Sequence, residues 1–250
     1  QMLHFGWRIP YIIGFLLTLF ALFLQRFTEE SPLYNLSKNQ KKTSKNPLKL
    51  AIKQNPYAIF IVFCLAGYIG IAYYMGMAFF PSYLTTVLNI TNKETMTITS
   101  IAAFTYAYSA PFWGWLSDKI GRKPLLLFAT LGLAITSYPL FLLISTKTFA
   151  CMLWSEIIFM LLITAATPAF VTCISELFPT NQRYSGVSMG YNIGNAVFGA
   201  TTPLVCTTLI QLTNNHLSPC FYLIIASIPM LLILIRMPET KNKDLQQIGS

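Results

Sequence analysis

The sequence predicts an all-α integral membrane protein with about seven transmembrane helices, on three observations: composition, apolar run length and charge placement. Of the 250 residues, 54% are hydrophobic and 10% are charged, and the mean hydropathy is +0.56. Soluble domains are about 25% charged. Apolar runs of about 20 residues recur along the chain, which is the length needed to cross about 30 Å of hydrocarbon. A soluble fold could not bury so many runs of this length.

The predicted spans follow these runs. They are Ile9–Gln25, Pro56–Leu84, Met96–Leu116, Pro124–Ile144, Phe149–Ser175, Tyr184–Leu212 and Leu217–Met237. The first run does not fit a signal peptide, because it has no strongly positive start and no small-residue cleavage site, and a basic loop follows it. Glycine and proline occur inside several spans, as membrane helices allow.

Basic residues favour alternate loops. Of the 17 lysines and arginines, 14 fall on one side of the predicted spans, whereas Arg8, Lys93 and Lys147 fall on the other. The positive-inside rule then predicts a cytoplasmic C-terminus and an external start. Topology explains the net charge of +9 better than a nucleic-acid partner does. An odd number of spans with an external start predicts that the sequence is the later part of a longer protein.

The polar segment 26–55 ends in a predicted surface helix. In NPLKLAIKQNP (Asn46–Pro56), three apolar residues recur at helical spacing beside Lys49 and Lys53. We expect a short amphipathic helix on the inner membrane surface, where anionic lipid attracts the lysines. The alternative is a disordered linker.

Cysteine and histidine placement predicts no cofactor and no metal site. The five cysteines lie in or beside apolar runs without CxxC spacing, which favours buried free thiols. The two histidines, His4 and His216, lie outside the spans. No nucleophile–base set supports a membrane enzyme.

The turn SDKIGRKP concentrates charge between the third and fourth spans. Gly121 permits a tight turn among Asp118, Arg122 and Lys123, and Pro124 suits the first turn of a helix. So short a loop predicts that the flanking helices are antiparallel neighbours. An aspartate at a helix C-terminus opposes the helix dipole unless it faces Arg122 or another helix N-terminus. The simpler interpretation is a cytoplasmic anchor.

A second segment, SELFPTNQRYSG, has the same mismatch. Glu176 ends one predicted helix and Arg183 begins the next, so each opposes the dipole of its own helix. Together with Asp118 and Arg122, these residues are predicted to form one paired cluster on the cytoplasmic side.

The sixth predicted span has a face of small residues. Gly186, Gly190 and Gly194 repeat every four residues, which allows close helix approach. Packing alone would explain this face.

Aromatic and amide side chains at membrane depth predict a solute cavity. The candidates are Tyr73, Tyr74, Tyr106, Tyr108, Tyr191, Asn192 and Asn195. Aromatic faces attract quaternary ammonium groups and amides bind carboxylates, so such a cavity suits a compact zwitterion. For each tyrosine alone, ordinary packing is the alternative.

Glu156 is the one acid that lies clearly inside a predicted span, roughly 10 Å from its outer end. Carboxylates inside membranes are costly and mark functions such as proton relay. A side chain that snorkels to the interface, or that bonds a neighbouring helix, would explain it equally well.

Several stretches resemble the major facilitator superfamily. GWLSDKIGRKP is similar to its loop motif G-x-x-x-D-x-x-G-R-[KR]. Four further stretches resemble its metabolite:H⁺ symporter branch, which includes proline/betaine transporters. They are Gly6–Pro32, Phe79–Leu88, Ser175–Leu204 and Pro238–Leu245.

The resemblance implies the sixth span and the C-terminal six-helix half of a twelve-helix transporter. Residues 1–25 would be the last helix of the N-terminal half, 26–55 the central cytoplasmic loop, 56–237 the six-helix half and 238–250 the tail. Because the translocation path of this family runs between the halves, the first five spans would be missing or separately encoded.

The implied function is proton-coupled symport of a small osmolyte or organic acid across the bacterial inner membrane. The expected partners are a small solute, H⁺, the lipid bilayer and a separately encoded N-terminal half. The charged cluster would be a conformational latch that holds one state closed. Its predicted members are Asp118, Gly121, Arg122, Lys123, Glu176 and Arg183. The alternative is a non-transporting remnant of a truncated transporter gene.

Overall fold

The structure is a computed structural model that describes residues 6–27, 47–179 and 182–241. Most of the predicted central loop and the end of the predicted tail lie outside these residues. The chain divides into two units, Gln1–Thr43 and Ser44–Ser250, and each is described by itself.

Every regular element among the described residues is helical. Taking two helices as continuous through their π-helical turns, the helices are α1 Ile9–Gln25, α2 Pro47–Gln54, α3 Pro56–Val87, α4 Asn92–Ile120, α5 Arg122–Ser145, α6 Phe149–Glu176, α7 Arg183–Thr213 and α8 Ser218–Arg236. The predicted all-α fold is confirmed, and each of the seven predicted spans coincides with a helix. The predicted surface helix is confirmed as α2, whereas its contact with a membrane stays a prediction.

Five of these helices, rather than seven, are long and apolar enough to cross a membrane: α3, α5, α6, α7 and α8. The helix α1 has 17 residues. At 1.5 Å per residue it reaches about 26 Å, slightly less than the hydrocarbon thickness. The helix α4 has 29 residues, but polar and charged residues dominate its first turns (NKETMTITS).

The helix α6 is central in the larger unit, since it packs along both α4 and α5. The α3 helix packs mainly against α7, and α8 packs mainly against α5. The expectation that α4 and α5 are close neighbours holds only over a short stretch, because α6 is the main packing partner of each. Gly132 shows how closely α5 packs against α6, since a Cβ added there would lie 2.7 Å from Leu162 of α6.

The larger unit has two chemically different ends. The basic end is defined by the start of α5, the ends of α4, α6 and α8, and the start of α7. At the opposite end, called the far end, four buried rings pack together from α3, α5 and α6. Phe80 lies 5.2 Å from Phe159 and 5.4 Å from Phe141, and Tyr83 lies 5.7 Å from Phe141 between ring centroids. The Tyr83 hydroxyl donates to the His216 carbonyl at 3.0 Å, which ties these rings to the α7–α8 loop.

Candidate functional site

A cavity of about 300 Å³ lies between α3, α4, α6 and α7. Its lining residues are Ala66, Ile69, Gly70, Tyr73, Tyr106, Thr167, Phe170, Val171, Tyr191 and Asn195. None of these described lining residues is charged. The cavity therefore offers aromatic faces, hydroxyls and one amide, but no full charge.

Two aromatic pairs border the cavity and join neighbouring helices. Tyr73 of α3 meets Tyr106 of α4 edge to face, with 5.9 Å between centroids. Phe170 of α6 stacks with Tyr191 of α7 at 6.1 Å. The Tyr106 hydroxyl donates to the Thr167 hydroxyl at 3.4 Å, which adds a polar link between α4 and α6. All four helices therefore place a ring at the cavity.

Asn195 enters the cavity at the point where α7 changes from α-helical to π-helical geometry. It begins a π-helical turn, Asn195–Gly199. Such turns are rare and frequently occur at functional sites. A Cβ added to Gly70 or Gly199 would lie 2.8 or 2.7 Å from the Asn195 amide oxygen. The two glycines therefore leave the space that this amide occupies.

Four of the seven predicted cavity residues line it, namely Tyr73, Tyr106, Tyr191 and Asn195. Tyr74 packs its ring against Tyr73 at 5.8 Å instead. Tyr108 is 79% exposed, because residues two apart on a helix point about 200° from each other. Asn192 is exposed and donates to the Ser188 carbonyl of its own helix at 2.7 Å.

Sequence reasoning missed the contribution of α6, namely Thr167, Phe170 and Val171. This helix is apolar on all sides, so no periodicity marks the face that meets the cavity. The available signal was local: Thr164, Thr167 and Pro168 interrupt the apolar run.

The predicted glycine face brings the backbones of α7 and α3 together. A Cβ added to Gly190 would lie 2.9 Å from the Ile59 carbonyl oxygen, and one on Gly194 would collide with the Phe63 carbonyl oxygen. Gly186 instead lies under the Phe178 ring. This close approach holds α7 against α3 beside the cavity.

An ionic cluster at the basic end is centred on Arg122. Its guanidinium pairs with Asp118 at 3.0 Å and with Glu176 at 3.1 Å, and donates to the Ser117 carbonyl at 3.0 Å. The arginine side chain is 10% exposed. It therefore joins α4, α5 and α6 in a largely buried position.

Two predicted members of this cluster have other partners. Arg183 forms no ion pair within 4 Å among the described residues, and its guanidinium donates to the Phe178 carbonyl at 3.5 Å. Both Glu176 oxygens are already occupied, by Arg122 and by the Thr240 hydroxyl at 2.6 Å. The Lys123 ammonium donates to carbonyls at the end of α8 rather than to a carboxylate.

Glu239, which sequence reasoning missed, caps α5. Its carboxylate accepts hydrogen bonds from the backbone N–H groups of Arg122 at 3.0 Å and Lys123 at 3.1 Å. An acid at a helix N-terminus is favoured by the dipole. Gly121 has φ +106°, and a Cβ there would lie 2.7 Å from a Glu239 oxygen, so glycine is required on two grounds. The acid of the PETK stretch after the last span was the available signal.

The charge state of Glu239 follows from this capping. Burial raises the pKa of its carboxyl, but hydrogen bonds from the N–H groups of Lys241, Arg122, Lys123 and Thr240 outweigh that effect. The net pKa lies below the ordinary value, so the cap is negatively charged at neutral pH.

Glu156 has the opposite surroundings. It lies in the second turn of α6 from the far end and is 2% exposed. Neither carboxyl oxygen has a hydrogen-bond partner among the described residues, and neither has the neighbouring Ser155 hydroxyl. Local bonding therefore does not explain why an acid occupies this position.

Comparison with known proteins identifies the family. The model of the Major Facilitator Superfamily matches residues 2–197 and 68–248. The chain belongs to the Major Facilitator Superfamily. This member is therefore a multi-pass membrane protein of a transporter family, as its five apolar helices indicate.

Relatives of this superfamily member confirm the resemblance to proline/betaine transporters. A putative proline/betaine transporter of Staphylococcus aureus (strain MSSA476) is 31% identical over 98% of this chain and 53% of the relative. One of Staphylococcus haemolyticus (strain JCSC1435) is 30% identical over 98% and 53%. The proline/betaine transporter of Escherichia coli (strain K12) is 26% identical over 98% and 50%. The chain spans about half the length of the curated relatives it matches.

Proposed function

We propose that this chain supplies the cavity-bearing half of a proton-coupled symporter for a small zwitterion of the proline/betaine kind. The uncharged cavity bordered by Tyr73, Tyr106, Phe170 and Tyr191 is the observation that carries this proposal. The names of the relatives support the same solute class.

The cavity chemistry suits a molecule with an ammonium group and a carboxylate. Aromatic faces stabilise a cation within about 6 Å of the ring centroid. The Asn195 amide can donate to a carboxylate. An organic acid without a cationic group would meet no positive side chain among the described lining residues, so a zwitterion fits better.

Glu156 is the proposed proton site. A buried carboxyl without partners inside a membrane helix is typical of groups that take up and release protons. It shares α6 with Thr167 and Phe170, and the 11 residues from Glu156 to Thr167 span about 16 Å of helix. A change at Glu156 can therefore reach the cavity as a small shift of one continuous helix.

The Arg122 cluster is proposed to act as a latch at the basic end, which we place on the cytoplasmic side of the inner membrane. Asp118 is 71% exposed and pairs with an arginine that is 10% exposed. This exposed partner can separate at little cost, whereas Glu176 remains bound to Arg122. The remaining half of the transport path is proposed to come from an N-terminal half like that of the longer relatives.

Solute binding tests the cavity. In the purified chain, and in a transporter completed with the N-terminal half of the S. aureus relative, betaine should raise the melting temperature. Tyr73→Ala and Tyr191→Ala should each weaken binding roughly 2- to 30-fold, because each removes a cation–π contact. Tyr108→Ala is the matched control and should leave binding unchanged. Equal affinities for all three variants would reject the cavity.

Proton coupling is tested in the completed transporter. Glu156→Gln should abolish accumulation driven by a pH gradient while solute exchange across the membrane continues. Full accumulation in this variant would exclude Glu156 as the proton site. A folded, completed protein that neither binds nor moves any zwitterion would favour the non-transporting remnant.

A further inference from the structure

The helix α2 lies directly before the span α3 and is separated from it by a bend. Asn55, between the two helices, has φ −129° and ψ 49°, which is outside the helical region. Pro56 then opens α3, and a residue before proline is disfavoured in the α conformation. The chain therefore leaves α2 in a new direction at the point where a membrane-spanning helix begins.

One side of α2 is packed and another is free. Ala51 is fully buried where α2 packs against α3 and α7. Leu48 and Ile52 are 48% and 44% exposed, and Lys49 and Lys53 are exposed beside them. Apolar side chains flanked by lysines are typical of helices that lie at a membrane surface.

Anionic lipid is the occupant that matches this free side. The lysines complement anionic headgroups, and the two apolar side chains complement the boundary between headgroups and acyl chains. Because α2 ends directly before the span α3 begins, α2 lies at the level where α3 enters the bilayer.

Three amides connect α2 to the start of α7. Gln182 is 3% exposed, and its amide donates to the Gln54 side-chain oxygen at 2.6 Å. Its own side-chain oxygen accepts from the Asn55 amide at 2.8 Å. We call these three side chains the amide clasp. Gln182 directly precedes α7, and its carbonyl accepts from the Gly186 N–H at 2.9 Å, so the clasp fixes the first turn of that helix.

We infer that α2 binds anionic lipid and that this binding stabilises the start of α7 through the amide clasp. The helix α7 carries Tyr191 and Asn195 to the cavity and packs by Gly190 and Gly194 against α3. Lipid composition at the basic end thereby acts on a cavity helix. Lipid binding and protection of α7 are both properties of the chain itself and do not require transport.

Lipid binding is tested by titrating short-chain phosphatidylglycerol into the purified full chain. Lys49→Gln with Lys53→Gln should weaken binding by roughly fivefold for each lysine, because each contributes a similar electrostatic attraction. Lys93→Gln with Lys147→Gln, two exposed lysines of the far end, is the matched control and should retain the wild-type affinity. Equal loss in both pairs, or no preference for phosphatidylglycerol over phosphatidylcholine, would overturn the proposal.

Coupling is tested by hydrogen exchange of the full chain in nanodiscs of phosphatidylglycerol or phosphatidylcholine. Phosphatidylglycerol should slow exchange of residues 183–190 in the wild type but not in the Lys49/Lys53 variant. Gln182→Leu should retain lipid affinity and lose this protection, and the exposed Gln54→Ala should lose part of it even if Gln182→Leu fails to fold. Undiminished protection in Gln54→Ala and Gln182→Leu would show that the clasp does not transmit the effect.

Discussion

Glu176 and Glu156 lie on the same helix, about 30 Å apart along its axis, in opposite surroundings. Glu176 is bound through one oxygen to the Arg122 guanidinium and through the other to the Thr240 hydroxyl. Glu156 is almost completely buried, and neither of its oxygens has a partner among the described residues.

The difference separates an acid that stabilises the fold from one that does not. A buried charge contributes to a structure when its partners replace the lost water, as Arg122 and Thr240 do for the two oxygens of Glu176. A carboxyl without such partners is a cost to folding, and this contrast is the basis for proposing Glu156 as the proton site. Removing Glu176 or its partners should therefore lower the stability of the fold, whereas removing Glu156 should not.

The largest expected effect comes from Arg122→Met. It leaves Glu176 without its cation in a largely buried position, which should lower the free energy of unfolding by about 3–5 kcal/mol. Thermal unfolding of the purified chain in detergent measures this. Asp118→Asn is the control: its carboxylate is 71% exposed, so the loss should be below about 1 kcal/mol. In the completed transporter, Asp118→Asn should slow uptake although the protein stays nearly as stable as the wild type, as expected of a latch.

The comparison becomes sharper when each acid is replaced by leucine. Glu176→Leu leaves the Arg122 Nη2 group and the Thr240 hydroxyl without their acceptor, although Nη1 keeps Asp118 and the Ser117 carbonyl. It should lower stability by about 1–3 kcal/mol. Glu156→Leu removes a carboxyl that has no partner among the described residues, and should leave the melting temperature unchanged or raise it. A large loss of stability in Glu156→Leu would show that this carboxyl has a structural partner after all.

Glu239→Gln should lower stability less than Arg122→Met does, by about 1 kcal/mol, because the amide oxygen still accepts some of the capping hydrogen bonds. The pKa of Glu239 is lower in the folded state than its ordinary value of 4.5, so the charged cap stabilises the chain at higher pH. This contribution should disappear as the pH falls below about 4.5 and through the folded-state pKa. Melting curves at pH 7 and pH 4 should therefore differ more in the wild type than in Glu239→Gln. Equal pH dependence in both proteins would contradict the capping role.

Helix-dipole mismatch predicted that Glu176 joins the Arg122 cluster, but an exact partner was predictable only where residues are close in sequence. Asp118 and Arg122 are four residues apart across one tight turn, and their pairing follows from that spacing. Glu239 caps a helix that begins 117 residues earlier, and the PETK stretch marks the acid but not the helix that it contacts. Arg183 was expected in the same cluster, but Glu176 already has two partners.

Apolar run length, basic loops and the charged turn are local properties, so the sequence by itself determined the membrane class, the helix positions and the family resemblance. The tertiary structure alone decided which side chains share a site, because helix rotation and tilt depend on packing with distant segments. Tyr106 lines the cavity and Tyr108 does not, although both lie at similar depth. Gln182 has no sequence pattern of its own, yet it joins α2 to α7 because the packing of Ala51 brings the two helices together.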